Sequence, residues 1–107
     1  YLVTYLQVVV KSGDNMARQW IRFIVDPKNH KKWEFDLDSL TALLNQLVAD
    51  GKLATTTPIT RLSELLVTEI YGLVFSWCMA PAKIDPVASM QSFCDLQLAA
   101  ILKMYER

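Results

Sequence analysis

The side chains that could carry chemistry in this sequence are few and lie far apart. His30 is the only histidine, and it lies in a lysine-rich stretch where an imidazole is expected to face water. Cys78 and Cys94 lack the short paired spacing of a zinc site, and each lies in an apolar run typical of a buried thiol. The sequence therefore predicts no metal site and no cofactor.

No arrangement of these residues is typical of catalysis. The glycines are isolated, so there is no phosphate-binding loop, and no serine lies in a nucleophile elbow. Asp36 and Asp38 form a carboxylate pair, but beside an apolar helical stripe they are interpreted as helix-capping residues. We therefore expect no enzyme activity. An enzyme that uses Glu69 or Cys78 is the weaker alternative, because no second catalytic group is identifiable.

Length and composition bound the kind of protein. The chain has 107 residues, of which 52% are hydrophobic, and its formal net charge is zero. This length suits one domain over residues 1–107, and the charge gives no electrostatic attraction for nucleic acid or an anionic membrane. The longest apolar run, residues 65–81, contains Glu69 and falls short of the roughly 20 residues that a membrane span needs. We therefore expect a soluble helix there and no membrane contact.

Apolar periodicity predicts an all-α fold, arranged as an antiparallel helical bundle. The predicted helices cover residues 2–10, 15–25, 38–50, 60–79 and 86–106. Asp14, Thr60 and Asp85 are the expected N-caps of the second, fourth and fifth helices. Residues 28–34 are expected to form an exposed loop, with a short helical turn as the alternative, and residues 52–58 an extended connector.

The last two predicted helices are too apolar for the surface of a small domain. Within residues 65–79 the only polar side chains are those of Thr68, Glu69 and Ser76, and a helix of that composition is buried on more than one side. A domain of this size buries only about two-thirds of its unfolded surface, so a partner chain is expected to cover one face of each helix. Gly72 belongs to a seam of small residues that would let a neighbouring helix approach closely.

Aromatic and methionine side chains recur on shared helical faces. Met16, Trp20 and Phe23 lie on one face of the second predicted helix, and small-ligand pockets have such apolar walls with a few polar groups. These side chains are also explained as ordinary core residues. Glu69 is a candidate polar group, because a carboxylate in so apolar a helix has to face water, a partner or a ligand.

The order of several short segments resembles a known family. The segments are Asp50-Gly51-Lys52-Leu53, Ile59-Thr60-Arg61-Leu62, Gly72, Trp77, Asp85-Pro86 and Ala99-Ala100-Ile101-Leu102. This order resembles the C-terminal domain of the tetracycline-repressor-like (TetR) family of bacterial transcription regulators. The resemblance implies a homodimer in which the last two helices of each subunit form a four-helix bundle. It also implies an N-terminal helix-turn-helix domain, absent from this chain, that binds operator DNA.

The resemblance further implies that an apolar or aromatic small molecule binds among the helices and controls operator binding. Mapped onto the helical faces, the ligand-binding residues are Met16, Trp20, Phe23, Leu44, Leu47, Glu69, Tyr71 and Trp77. The dimer contacts are Leu66, Ile70, Leu73, Val74, Trp77, Phe93, Leu96, Gln97, Ala100 and Met104. The alternative is a helical protein–protein interaction module, which predicts a filled core with no cavity and no self-association.

Overall fold

The computed structural model describes residues 1–107, which form helices and no strands. The elements in chain order are α1 (Leu2–Ser12), α2 (Asp14–Ile24), a 3₁₀ turn (Pro27–Asn29), α3 (Lys31–Ala49), α4 (Ile59–Met79), α5 (Pro86–Phe93), a π-helical segment (Cys94–Leu98) and α6 (Ala99–Met104). The only β-type pairing is an isolated bridge between Leu53 and Glu106. The all-α class predicted from the sequence is confirmed.

The break between α1 and α2 lies at a single residue. Gly13 has a φ of 91°, which a residue with a Cβ rarely adopts, so it ends α1 and begins α2 without a loop. The prediction that Asp14 is the N-cap is therefore wrong, because Gly13 occupies the cap position. Asp14 is instead the first residue of α2, and its carboxylate lies 3.1 Å from the Arg18 guanidinium one turn later.

Helix α3 begins about two turns earlier than the sequence predicted. The carboxylate of Asp26 accepts the Lys28 backbone N–H at 3.0 Å, and the resulting 3₁₀ turn leads directly into Lys31. Residues 28–34 are thus mostly helical rather than an exposed loop, because lysine and glutamate are good helix formers. Asp36 and Asp38 lie inside α3, so their interpretation as capping residues is wrong.

The predicted N-caps of α4 and α5 differ in outcome. The Asp85 carboxylate accepts the Ala88 backbone N–H at 3.1 Å, so its prediction as an N-cap is confirmed. Thr60 does not cap α4, because the helix begins one residue earlier, at Ile59, directly after Pro58. The stretch before it is an irregular connector, in which Thr57 is buried and donates its hydroxyl to a backbone carbonyl.

The last predicted helix, residues 86–106, is one helical stretch with a change of winding. α5 passes into the π-helical segment at Cys94, and α6 ends at Met104. A π-helical turn has a wider hydrogen-bond spacing, so it rotates the side chains that follow relative to an uninterrupted α-helix. No proline or glycine marks this position in the sequence.

Helix α4 lies at the centre of the fold. It contributes six of the thirteen buried apolar residues in the core cluster, and it packs against α1, α2, α3 and α5. These six residues are Leu62, Leu66, Val67, Ile70, Val74 and Trp77. The expectation that so apolar a helix needs a second chain to bury it is therefore only partly met, since one broad face is already covered by the chain itself.

By length and composition, α4 is also apolar enough to cross a membrane. The sequence predicted no membrane span because the apolar run of residues 65–81 is short. The helix itself extends over 21 residues, from Ile59 to Met79. A central core helix satisfies the same measure, and 39% of the apolar window is buried inside this fold.

Gly72 lies on the outer side of α4. A Cβ added there would meet nothing within 4 Å, so no helix of this chain approaches it closely. The close approach predicted from the small-residue seam is therefore not made within the chain. Phe75 and Met79, which follow Gly72 on α4, are also exposed, so the outer face of this helix has apolar side chains in contact with solvent.

Candidate functional site

A groove of about 630 Å³ lies between α1 and α2 and opens to solvent. Ten residues line it: Tyr1, Thr4, Tyr5, Val8, Val9, Ser12, Met16, Ala17, Trp20 and Lys32. Seven of the ten are hydrophobic, and the volume lies within the roughly 300–1,000 Å³ of typical small-molecule sites. The groove is thus large and apolar enough to hold a small organic molecule.

Helical periodicity explains which side chains face the groove. On α1, Tyr1, Tyr5 and Val9 recur every four residues and share one face, whereas Leu2 and Leu6 on the neighbouring face enter the core. On α2, the small side chain of Ala17 is buried, and Met16 and Trp20 flank it along the groove. Each helix therefore directs some apolar side chains into the core and others into the groove.

A buried carboxylate lies beneath the groove. Asp36 is only 1% exposed, and its Oδ2 accepts hydrogen bonds from the Tyr5 hydroxyl, at 2.9 Å, and from the Tyr71 hydroxyl. Its Oδ1 accepts a hydrogen bond from Lys32 Nζ at 3.0 Å. Burial of a charge is costly unless it is paired and hydrogen-bonded, and here both oxygens have partners. Groups from α1, α3 and α4 thus meet at one carboxylate.

The ammonium of Lys32 lies among aromatic rings. Its Nζ is 5.5 Å from the centre of the Tyr5 ring, 5.6 Å from that of Phe35 and 6.0 Å from that of Trp20. These distances are within the range of cation–π attraction. Trp20 in turn contacts Tyr71 edge to face, with ring centres 5.2 Å apart. The groove wall and the buried carboxylate therefore form one connected network.

The environment of Asp36 changes the acidity of its two phenol partners. Burial raises the pKa of Tyr5 and of Tyr71, and the negative charge of Asp36 and its hydrogen bonds to the phenols raise both further. Each phenol donates a hydrogen bond to the carboxylate, so loss of the phenol proton would place two negative charges together. The network accordingly favours neutral phenols.

Alkaline titration is expected to leave Tyr5 and Tyr71 protonated for as long as the chain is folded. Both folded-state pKa values lie above the ordinary tyrosine value of 10.0. Their contribution to stability is therefore complete below about pH 10 and is lost as the pH rises beyond it, because the unfolded chain then releases protons that the folded chain retains. Tyrosinate absorbance, followed with circular dichroism, should show two of the four tyrosines titrating only with loss of helix.

The matched variants for that titration are Tyr5→Phe and Tyr71→Phe. Each should remove one late-titrating phenol and leave the remaining tyrosine signal in place. Titration of all four tyrosines near their ordinary value, with full helical content retained, would contradict the network around Asp36.

The structure brings together only part of the ligand wall predicted from the sequence. Met16 and Trp20 line the groove, and Tyr71 lies behind it in edge contact with Trp20. Phe23 is 56% exposed and lies outside the groove, whereas Leu44 is buried in the core. The helical periodicity of α2 identified two residues that line the groove. It did not show that Phe23, on the same helix, faces solvent instead.

Three further predicted ligand residues lie elsewhere. Trp77 is buried in the core, and Leu47 is half-buried and packs against the core cluster. Glu69 lines a second, shallower depression of about 350 Å³ between α4 and α5, together with Asp85 and Phe93. The single pocket expected from the sequence is therefore divided between the groove, the core and this depression.

Sequence reasoning missed the contribution of α1 and of the first turns of α3. The recurrence of Tyr1, Tyr5 and Val9 every four residues was a signal for an apolar face, but the run was predicted only to be a helix, with no part in the site. The four-residue spacing of Lys32 and Asp36 is typical of an ion pair on a helix. It was not recognised because residues 28–34 were expected to be a loop.

The predicted dimer contacts divide into buried, half-buried and exposed residues. Leu66, Ile70, Val74 and Trp77 are buried among the helices of their own chain, which corrects the expectation that a second subunit covers them. Leu73 and Phe93 are half-buried. On the last helical stretch Leu96 and Met104 are 75% and 74% exposed, and Gln97 and Ala100 are exposed beside them. Among the predicted dimer contacts, only these exposed residues offer an outward apolar face.

The remaining chemically active side chains do not gather at the groove. Cys78 and Cys94 are free and only half-buried, and burial raises the pKa of both thiols. His30 is exposed, as expected, with its Nε2 3.3 Å from a Glu34 carboxylate oxygen. No three or more histidine, cysteine, aspartate or glutamate side chains lie close enough together to hold a metal ion. The groove is therefore suited to binding a molecule through apolar contacts and the ammonium of Lys32.

Comparison with known proteins finds no matching family model, no matching curated protein and no matching solved structure. The interpretation of the groove therefore depends on its shape, its lining and the charges beneath it.

Proposed function

We propose that this chain is a helical ligand-binding domain that takes an apolar or aromatic small molecule in the groove between α1 and α2. One observation carries the proposal: a groove of about 630 Å³ with a largely hydrophobic lining adjoins a fixed polar network. Binding sites for small molecules combine an apolar wall with a few placed polar groups in this way. Met16 and Trp20 supply part of the wall, and Lys32 is the charged group at its edge.

In its fuller form, the proposal is the effector-sensing and dimerisation domain of a bacterial, cytoplasmic TetR-like regulator. The support is the sequence resemblance, the all-α fold and the exposed apolar face that includes Leu96, Ala100 and Met104. A second copy of the chain would cover that face, and operator DNA would be bound by a domain outside this chain. The domain itself performs no catalysis.

The proposed mechanism requires only that the effector prefer one arrangement of the helices. The groove reaches α4 through Trp20, Tyr71 and Asp36, since Tyr71 contacts both of the others. A molecule that moves α1 relative to α2 would also disturb the hydrogen bonds that Tyr5 and Tyr71 donate to Asp36. Effector binding would thereby change the position of α4, which packs against α5, the helix that leads into the dimer face.

The alternative function is a protein–protein interaction module without a small-molecule ligand. The exposure of Leu96 and Met104 favours it equally, because a different protein could cover these side chains. The groove opens to solvent, so it does not test the filled core that this alternative predicts, but its concave apolar shape and its volume suit a small molecule. The groove therefore favours the ligand-binding domain.

The neutral fluorescent dye N-phenylnaphthylamine is expected to bind the groove with increased emission, and Thr4→Phe is expected to weaken that binding about tenfold, or about 1.4 kcal/mol. Thr4 is exposed and lines the groove, so a phenyl ring there occupies the space without entering the core. A fluorescence titration of the wild-type chain and the variant measures the change.

Gln7→Phe is the matched control for that titration. Gln7 is exposed on α1 but does not line the groove, so the same phenyl ring should leave dye binding unchanged. No dye binding by the wild-type chain, or equal weakening by both substitutions, would count against the groove as a ligand site.

A further inference from the structure

The groove has one charged side chain. Among the side chains of its ten lining residues only that of Lys32 carries a charge, and no acidic residue lines the groove. A site of this kind presents a positive centre at one place in an otherwise apolar wall. The sign of that charge restricts which polar group a bound molecule can carry there.

The hydrogen-bond donors of the groove are unequally occupied. The hydroxyl of Tyr5 already donates to Asp36, and that of Ser12 donates to the Val9 carbonyl at 2.7 Å. Each hydroxyl has a single proton to donate, so both are used. The ammonium of Lys32 has three N–H groups, of which one serves Asp36. Lys32 thus has donors left for a ligand, and they are the only charged side-chain donors in the groove.

The negative partner of Lys32 is not accessible from the groove. The Asp36 side chain is only 2% exposed, whereas that of Lys32 is 34% exposed. Both Asp36 oxygens are covered, by the Tyr5 and Tyr71 hydroxyls on one side and by Lys32 on the other. A molecule that enters the groove therefore meets the ammonium first. The aromatic rings and the carboxylate hold that ammonium in place before any ligand arrives.

We propose that the groove selects an amphiphilic anion, namely an apolar chain or ring system that bears one carboxylate. The carboxylate accepts hydrogen bonds from Lys32 Nζ, and the apolar part lies along Val8, Val9 and Met16. Charge-assisted hydrogen bonds of this type are stronger than neutral ones. The inference rests on the proposed ligand-binding function and specifies the chemical class of the ligand.

The test compares three molecules that share one apolar tail and differ in their polar end: decanoate, decanol and decylamine. Each is used to displace N-phenylnaphthylamine from the wild-type chain. Decanoate is expected to bind about tenfold more tightly than decanol, which corresponds to about 1.4 kcal/mol, and decylamine more weakly than either. Higher ionic strength should weaken decanoate and leave decanol unchanged, because salt screens a partly exposed ion pair.

Variants of the two neighbouring lysines identify the source of the preference. Lys32→Met should abolish the advantage of decanoate over decanol, and Lys32→Arg should restore it. Lys31→Met is the matched control, because it removes an equal charge from an exposed residue outside the groove and should retain the preference. If Lys32→Met does not fold, the comparison of the three molecules on the wild-type chain still decides the inference.

The outcomes separate the inference from the function on which it rests. Equal binding of decanoate and decanol, or tighter binding of decanol, overturns the anion preference and leaves the ligand-binding function standing. A preference for decanoate that survives Lys32→Met places the acid elsewhere and also overturns the inference. Failure of the dye and of all three molecules to bind overturns both.

Discussion

Replacement of Asp36 by alanine is expected to lower the free energy of unfolding by about 3 kcal/mol. The substitution removes the acceptor of three hydrogen bonds at once and leaves the Lys32 ammonium without its partner. Removing one member of a buried ion pair costs about 3–5 kcal/mol, and the lower end applies because Lys32 can turn partly towards water. Urea unfolding followed by circular dichroism measures the change.

Two further substitutions show whether the loss arises from the network. Asp38→Ala removes the next acidic residue of α3, which is exposed, and should change the unfolding midpoint little. Asp36→Asn keeps one acceptor oxygen for the phenols while it loses the charge, so its effect should lie between those of Asp38→Ala and Asp36→Ala. Equal effects at Asp36 and Asp38 would show that the carboxylate contributes no more than a surface residue.

The helices themselves were largely predictable from the sequence. Apolar periodicity located all of them, and local chemistry set the boundaries that depend on one residue, such as the cap at Asp85 and the end of α3 near Gly51, where φ is 75°. The start of α3 was missed because the polar composition of residues 28–34 was taken as evidence for a loop. Composition alone does not distinguish a solvated loop from an exposed helical turn supported by ion pairs.

The candidate site was less predictable than the fold. Met16 and Trp20 were recognised because both lie on one face of a single helix, a property that helical period reports directly. The Asp36 network joins α1, α3 and α4, and the sequence separations between its members are 31 and 35 residues. Helical period carries no information about which helices become neighbours. Asp36 therefore remained a capping residue until the packing was known.

The role of α4 shows the same limit in another form. Its composition indicated burial on more than one side, and that inference holds for the face that includes Leu66, Ile70 and Val74. A partner chain was expected to cover one face of this helix, because composition does not report which helices of the same chain become its neighbours. In the structure α1, α2, α3 and α5 cover that face, and Phe75 and Met79 remain exposed on the other.

Truncation of Ile70 is expected to separate the chain's own core from a dimer interface. Ile70 is fully buried, so Ile70→Ala should lower the free energy of unfolding by about 3 kcal/mol through lost apolar contact and the cavity left behind. Because the contacts lie within one chain, the loss should be the same at every protein concentration. Leu96 is 75% exposed, so Leu96→Ala should change the stability of the separated chain little.

For self-association, the proposed homodimer predicts the opposite pattern in the same two variants. If α6 and the π-helical segment form the contact with a second copy, Leu96→Ala should weaken self-association in sedimentation equilibrium, whereas folded Ile70→Ala chains should still associate. A concentration-dependent loss of stability in Ile70→Ala would place α4 between two subunits and contradict its position in the monomer core. Unchanged association in Leu96→Ala would remove that side chain from the interface, because a contact residue exposed in the free chain contributes to binding only through the partner it covers.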